Sequence, residues 1–321
     1  MDPAAVPPPP VPRFEVRLDP PDLSEWRAGN TGVAGFTGFD SGRPGPHVAL
    51  VALTHGNEFA GAIALDELLR RGPRPARGRL TLGFANLGAF DRFNPAQPTA
   101  SRFLDEDLNR LWDPAVLDGP RRSAELDRAR EMRPLIDTVD VLLDLHSMLW
   151  PSDPLILSGP SLKGRALARG IGTPSLVVAD RGHASGPRLI DYAPFVDPDG
   201  AACACLVEAG QHWEPDTVAV TRACIAGLLR HLGMEWGLEW DEAAPFEPPL
   251  LAEVTLAVTA ATGGFAFVQP FRGGDVIARR GTLIALDGAA EIRTPHDDCL
   301  LVMPSLRPSR GHTAVRLARF L

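Results

Sequence analysis

The sequence predicts an α/β fold: a mixed, mainly parallel sheet flanked by helices, followed by a small C-terminal all-β, barrel-like domain. Three observations carry this expectation. Near-continuous apolar runs such as His47–Leu53 (HVALVAL) and Val139–Leu145 (VDVLLDL) mark strands buried on both faces. Stretches with helical apolar spacing alternate with those runs, the pattern of a sheet covered by helices. After Trp240 the helical patterns stop, and the remaining strands are short and punctuated by glycine.

Taken in order, residues 1–12 form a Pro-rich leader, extended and mobile by composition. A β-like segment is expected around Phe14–Leu18. The run His47–Leu53 leads through Thr54-His55-Gly56-Asn57-Glu58 into a helix ending near Arg71, with Phe59, Ala62, Ile63, Leu65, Leu68 and Leu69 at helical spacing. Arg79–Leu87 reads as a second strand. The stretch Gly88–Leu111 has no periodicity, and loops of that length in a domain are usually functional. Ser123–Thr138 reads as a charged amphipathic helix and Val139–Leu145 as a strand ending at His146. Strands at Pro154–Leu157 and Ser175–Ala179 bracket a helix at Ser161–Arg169. A strand at Ala202–Glu208 and a helix at Pro215–Leu232 complete an α/β domain spanning 13–242. Ala243–Pro249 (AAPFEPP) is a linker, and 250–321 is the C-terminal β domain. Within it, Asp275–Leu286 resembles the turn and strand of a biotinyl/lipoyl-type barrel, but no lysine follows Lys163 to carry such a group.

Composition narrows the function. The 321 residues carry 32 basic against 40 acidic side chains, a net charge of −8. That argues against nucleic-acid and anionic-membrane partners, which need clustered Lys and Arg. A hydrophobic content of 45% supports a sizeable core. Pro (32) and Gly (31) are frequent enough to predict many shaped loops, and one tyrosine with 7% aromatics makes a base-stacking surface improbable. Four cysteines, Cys203, Cys205, Cys224 and Cys299, fit buried thiols better than a disulfide framework. The N-terminal residues lack the basic and apolar regions of a secretory signal, and no apolar run reaches membrane-spanning length. A soluble, reducing, cytoplasmic setting is expected.

Four segments carry chemistry. His55-Gly56-Asn57-Glu58 follows a buried strand, and in an open α/β sheet the crevice beyond the strand's carboxyl end is where ligands bind. Imidazole nitrogen and carboxylate oxygen both suit Zn²⁺; alternatively Glu58 complements a helix dipole and His55 is a turn residue. His146 ends a second strand at the same crevice, so that His55, Glu58 and His146 make a His₂Glu set of the kind that leaves a fourth zinc position for water. Arg102-Phe103-Leu104-Asp105-Glu106-Asp107-Leu108-Asn109-Arg110 lies in the aperiodic loop. Arg102, Asn109 and Arg110 there could hold a substrate carboxylate, or form local surface pairs. Val207-Glu208-Ala209-Gly210 ends another strand, and Glu208 is placed either as a general base or as a solvent-facing terminal acid.

Together HGNE, RFLDEDLNR, DLHS (Asp144–Ser147) and VEAG occur in the order seen in the succinylglutamate desuccinylase/aspartoacylase family, which the chain resembles over roughly 45–232 and in its C-terminal β domain. The family is a branch of the zinc carboxypeptidase-like fold. The resemblance implies one Zn²⁺ per chain on His55, Glu58 and His146. It implies Glu208 as catalytic carboxylate and Arg102, Asn109 and Arg110 as substrate-binding residues. Arg102 stands seven residues before Asn109, as in the family motif. Asp107 and Asp144 are candidate partners for the outer nitrogens of the two histidines. Family members with known substrates add an arginine and a tyrosine from the segment before the catalytic Glu. Gly182–Tyr192 offers Arg188 and Tyr192 in an order that does not match aspartoacylase itself, and His183 on the same loop is near enough in sequence to reach the site.

The implied activity is hydrolysis of the amide of a small N-acyl amino acid or N-acyl amine. Glu208 takes the attacking water's proton and returns it to the leaving amine, with Arg102, or Arg110, at the oxyanion. Two alternatives share the metal logic: a metallocarboxypeptidase acting on peptides, and a zinc-binding protein without turnover. A homo-oligomer is compatible with the sequence.

Overall fold

The structure, a computed structural model, describes residues 14–183, 185–237 and 248–321. The leader at 1–12 and residues 243–247 of the linker lie outside the described residues. Among the described residues the chain forms β1 (Phe36–Asp40), β2 (His47–Ala52), α1 (Ala60–Arg70), β3 (Arg79–Phe84), α2 (Leu87–Phe90), α3 (Pro114–Leu117) and α4 (Ala124–Ile136). It continues with β4 (Val141–Met148), β5 (Leu155–Leu157), α5 (Leu162–Ile171), β6 (Leu176–Ala179), α6 (Ala193–Val196), β7 (Cys203–Gln211) and α7 (Pro215–His231). Only strands follow: β8 (Leu250–Thr259), β9 (Phe265–Phe267), β10 (Val276–Ile277), β11 (Leu283–Asp287), β12 (Ala290–Arg293), β13 (Cys299–Val302) and β14 (Thr313–Phe320).

The period-2 alternation of β2 sets the layering. Val48, Leu50 and Ala52 enter one core cluster with α1, α5 and α7, while Ala49 and Val51 enter a second with α4. Every residue of β2 and β4 is buried, as expected of strands covered on both faces. The large sheet runs β1-β3-β2-β4-β7-β5-β6-β8-β14-β13-β10. Its centre, β3-β2-β4-β7, is parallel, and in register β4 places His146 beside Glu208 of β7. Parallel strands direct their carboxyl ends the same way, so the turns after β2, β4 and β7 converge on one crevice. The mixed α/β expectation is met. The C-terminal strands do not stand apart from this sheet: β8 pairs in parallel with β6 and carries β14, β13 and β10 onward. They keep a cluster of their own, including Phe271, Ile284, Leu301 and Val315, capped by the small sheet β12-β11-β9.

Local chemistry explains where the helices begin. Ser123 Oγ accepts from Leu126 N to open α4, and Ser161 Oγ accepts from Gly164 N to open α5. Lys163, the only lysine, directs Nζ at the carbonyls of Pro194 (3.4 Å), Asp197 (2.6 Å) and Gly200 (2.9 Å), tying α5 to the connection between α6 and β7. All four cysteines are free, and Cys205, Cys224 and Cys299 are buried.

Several boundaries differ from the sequence expectation. Phe14–Leu18 is not a strand: among the described residues its one backbone bond across, Arg17 N to Trp213 O at 3.1 Å, makes no ladder, and Phe14, Val16 and Leu18 pack on the core as an extended strap. The strand expected to reach Leu87 stops at Phe84, because the Asn86 side chain caps α2 by accepting from Ala89 N. The antiparallel edge strand β1 was not foreseen; its GFTGFD sequence, Gly35–Asp40, lacks an apolar run. No helix among the described residues is long and apolar enough to cross a membrane.

The α1 helix lies so near the sheet that a Cβ on Gly61 would stand 2.9 Å from Leu145 Cβ and 3.1 Å from Ala52 Cβ. Gly61→Val should therefore lower unfolding stability by about 1–3 kcal/mol, read from urea midpoints; an unchanged midpoint would contradict this packing. His47 supplies a pH test. Its ring, 4% exposed, has Nδ1 2.9 Å from Thr138 O and Nε2 2.8 Å from Thr81 Oγ1. Burial, aided by Arg79, holds its pKa below the usual imidazole value. The unfolded chain then takes up the proton first as pH falls, so the stabilisation is complete above about pH 6.5 and is lost on acidification. Replacing His47 with Gln should make the loss of stability between pH 7 and 5 shallower than in wild type; parallel losses would refute the assignment.

Candidate metal and substrate site

The site begins where β2 ends. Leu53 takes a left-handed φ of 59°, uncommon for a residue with a Cβ, and turns the chain into Thr54-His55-Gly56. Trp213, in the turn after β7, has φ 61° and donates its indole N–H to Asn57 O at 3.0 Å. Gly56 is required by close approach: a Cβ there would lie 2.4 Å from backbone atoms of Ala89 and Phe90 and 2.5 Å from Ser101 O. Its N–H binds Arg102 O at 3.0 Å, so the turn is sutured to the start of the arginine loop.

That loop is itself ordered by a buried acid. The Glu125 carboxylate on α4, 1% exposed, accepts from the backbone N–H groups of Leu104 (2.6 Å), Asp105 (3.0 Å) and Glu106 (3.1 Å) and from Asn86 Nδ2 (3.0 Å). The stretch expected to be one long loop therefore contains α2, this anchored arch and a 3₁₀ turn at Leu108–Arg110, which Asp107 caps through Asn109 N.

His55, Glu58 and His146 come together as a buried trio, with one ligand-type atom from each lying within 4.8 Å of the others. Glu58 Oε2 is 3.0 Å from His146 Nδ1 and accepts from Ser147 N at 3.1 Å. Asp107 Oδ1 stands 2.9 Å from His55 Nε2, and Asp144 Oδ2 stands 2.8 Å from His146 Nε2. Each acid favours the proton on the outer nitrogen, at His55 against the Arg102 guanidinium, which also stands 2.9 Å from Nε2, and so leaves the Nδ1 lone pair facing the trio. Among the described residues His55 Nδ1 is buried without a hydrogen-bond partner; Glu58 Oε1, 2.8 Å away, is out of line for one. A carboxylate and two imidazole lone pairs, one of them on the orphaned His55 Nδ1, are a donor set that fits Zn²⁺.

The electrostatics follow from this crowding. Burial works to raise the Glu58 pKa, but His55 and His146 outweigh it and hold the group well below the carboxylate range. For His146, burial works downward, yet Asp144 and Glu58 raise it well above the imidazole value. Glu208, 6% exposed at the end of β7, goes the other way: burial and then the Glu58 charge raise its pKa, and its Oε2 has no hydrogen-bond partner among the described residues.

The predicted substrate residues are present with distinct engagements. Arg102 Nη1 donates to Glu58 Oε1 at 2.8 Å, and Nη2 reaches Asp107 Oδ2 at 3.4 Å. Arg110 approaches Asp107 at 3.7 Å and donates to Asn109 O at 2.5 Å. The Asn109 amide is used within the protein, accepting from Leu189 N at 2.7 Å with Nδ2 3.4 Å from His146 Nε2. Arg188 is fully committed to Asp180 (2.7 and 3.0 Å) and Asp191 (2.7 and 3.0 Å). The Tyr192 hydroxyl donates to Asp137 at 2.7 Å and accepts from Arg133 at 3.0 Å.

Two neighbours escaped the sequence reading. His212 Nδ1 sits 2.7 Å from Ser147 Oγ, with Nε2 3.9 Å from Glu58 Oε1. It lies four residues beyond Glu208 in the same segment, a signal that proximity in sequence offered. Arg316, on β14, arrives from the far end of the chain with no local signal. Arg188, 2% exposed, makes four hydrogen bonds to Asp180 and Asp191. Arg188→Met would strip the close guanidinium from two carboxylates, leaving Asp180 with Arg316 at 3.7 Å, and should cost about 3–5 kcal/mol in thermal or urea unfolding; a loss below about 1 kcal/mol would mean that the pair is solvent-relieved.

The catalytic-domain family described as succinylglutamate desuccinylase/aspartoacylase matches residues 44–232. Over 115 residues the chain is 30% identical to the aspartoacylase of Xenopus tropicalis, covering 32% of this chain and 34% of that protein. Over 109 residues it is 29% identical to N-acyl-aromatic-L-amino acid amidohydrolase (carboxylate-forming) A of Danio rerio, covering 31% and 32%. The matched region thus spans about a third of these curated relatives. The structure of succinylglutamate desuccinylase from Vibrio parahaemolyticus superposes with a TM-score of 0.66 at 16% identity, covering 90% of this chain and 89% of that one; at this identity the likeness concerns the fold.

Proposed function

The chain belongs to the succinylglutamate desuccinylase/aspartoacylase family, and from that premise we propose that it is a zinc-dependent hydrolase of the amide bond in a small N-acyl amino acid or N-acyl amine. The same reading assigns it a zinc carboxypeptidase-like hydrolase unit at 13–242 and a C-terminal β unit at 250–321. The observation that carries the proposal is the convergence of His55, Glu58 and His146 with the unpartnered Glu208 carboxylate at the ends of three neighbouring parallel strands.

His55, Glu58 and His146 would hold the metal, with Asp107 and Asp144 orienting the two imidazoles. Zinc bound there supplies Lewis acidity that acidifies an attacking water and polarises the acyl carbonyl. Glu208 accepts the proton of that water through Oε2, the oxygen left without a protein donor, and returns it to the departing amine nitrogen. The low-dielectric setting that raises its pKa also makes it a stronger base toward water. Arg102, whose guanidinium lies against Glu58 and is acted on by the Glu208 charge, donates to the carbonyl oxygen as negative charge develops. Asn109 keeps His146 and the Leu189 backbone in place.

Glu208→Gln should retain zinc content and melting temperature while kcat for amine release falls roughly 10²–10⁴-fold; near wild-type turnover would remove Glu208 from the mechanism. The panel that identifies the reaction comprises N-acetyl and N-succinyl amino acids, N-acetylated diamines and free peptides, each with a chelator control. Chelator-sensitive amine release restored by zinc is expected from one N-acyl class. Release from peptides alone would overturn the deacylase assignment.

A further inference from the structure

Between the register pair His146–Glu208 and the pair Met148–Gln211, β4 advances by two residues and β7 by three. The extra residue falls at Gly210, whose φ of 139° lies in the region that favours glycine and where a Cβ would stand 2.8 Å from Thr217 Oγ1. A bulge of this kind re-aims the side chains that follow it. In an unbroken strand His212, four residues beyond Glu208, would share its face. Past the bulge it turns to the face of Ser147 instead, and its Nδ1 stands 2.7 Å from Ser147 Oγ. The ring is 3% exposed, and the His212 backbone N–H donates to Met148 O at 2.7 Å.

Ser147 is what gives this contact its consequence. Its backbone N–H donates to Glu58 Oε2 at 3.1 Å. Arg102 Nη1 also donates to Glu58, but from a side chain 36% exposed that reaches His55 and Asp107 as well. Ser147 N is therefore the donor built into the sheet, and it stays aimed at the carboxylate only as far as Ser147 itself is held. With the proton on His212 Nε2, favoured by the Glu58 charge 3.9 Å away, Nδ1 accepts from the Ser147 hydroxyl. Removing that acceptor would strand a buried hydroxyl beside the carboxylate. The next residue completes the brace, since Trp213 donates to Asn57 O at 3.0 Å. One turn thus holds both the peptide that follows His146 and the peptide that precedes Glu58.

We propose that His212 is a positioning residue of this site, holding the Glu58 carboxylate against the two imidazole nitrogens by fixing Ser147. The proposal rests on the metal reading above and is readable without turnover. Chelator competition, starting from metal-free protein, measures the zinc affinity of wild type and variants. His212→Phe keeps a ring but no acceptor and should weaken zinc about 10–100-fold, as should Ser147→Ala. His212→Asn, whose amide oxygen stands as far along the side chain as Nδ1, should stay within about threefold of wild type, and the double variant His212→Phe/Ser147→Ala should be no weaker than either alone. The visible spectrum of the cobalt(II) form should change in His212→Phe and return in His212→Asn, which a general loss of stability does not produce. Exposed His312→Phe is the control and leaves affinity unchanged. Wild-type affinity in His212→Phe overturns the proposal, as do losses that add in the double variant. A His212→Asn variant as weak as His212→Phe overturns it too, because the ring would then act through Nε2. Should His212→Phe not fold, Ser147→Ala decides: zinc binding weaker by at least about tenfold upholds the proposal and wild-type binding overturns it. Wild type that takes up no zinc overturns both readings. His212-dependent zinc binding in protein that releases amine from no N-acyl compound supports the positioning role and sinks the deacylase reading. Deacylation with His212-independent zinc binding does the reverse.

Discussion

The Glu58 carboxylate is the point on which the rest of the site depends. It is 3% exposed, and a buried charge persists only where donors replace its water. Arg102 Nη1 and Ser147 N donate to it, and its polar neighbours come from four separate pieces of chain. Oε1 faces His55 Nδ1 and Arg102 Nη1, each at 2.8 Å; Oε2 faces His146 Nδ1 at 3.0 Å and Ser147 N at 3.1 Å; His212 stands behind at 3.9 Å. One side chain thereby fixes the β2 turn, the arginine arch, the end of β4 and the turn after β7 relative to one another. The acids Asp107 and Asp144 repeat the device one layer out.

What the sequence made legible follows the same physics. Strands covered on both faces must be apolar throughout, so β2, β4 and β7 announce themselves, and their polar terminal residues stand out against them. His55, Glu58, His146 and Glu208 were therefore visible. The arch from Arg102 to Arg110 was visible as composition but not as structure. Its order comes from Glu125, which along the sequence reads as one more charge on an amphipathic helix. Arg188 was visible as a candidate, but its neutralisation depends on Asp180 and Asp191 folding around it. Arg316 was invisible because β14 joins the sheet through β8 and β6, a route no local pattern encodes. The strap at Phe14–Leu18 misled for the opposite reason: its alternating apolar residues pack on the core without a partner strand.

The acidic balance of the chain also gains a meaning. A net charge of −8 suggests nothing about the crevice, where Arg102, Arg110, Arg188 and Arg316 gather. Several of the surplus acids act locally as counter-ions to these arginines. Arginine suits this role because its guanidinium stays charged when buried and grips carboxylates with two parallel donors.

That preference extends to nearly every basic position, and it leaves Lys163 alone. Its three N–H donors are spent on three carbonyls of the segment leading into β7. In the folded state the chain therefore presents to acylating, carbamylating or reductive-alkylating reagents a single ε-amine, held by those three carbonyls. Labelling at Lys163 becomes a clock for the opening of that segment.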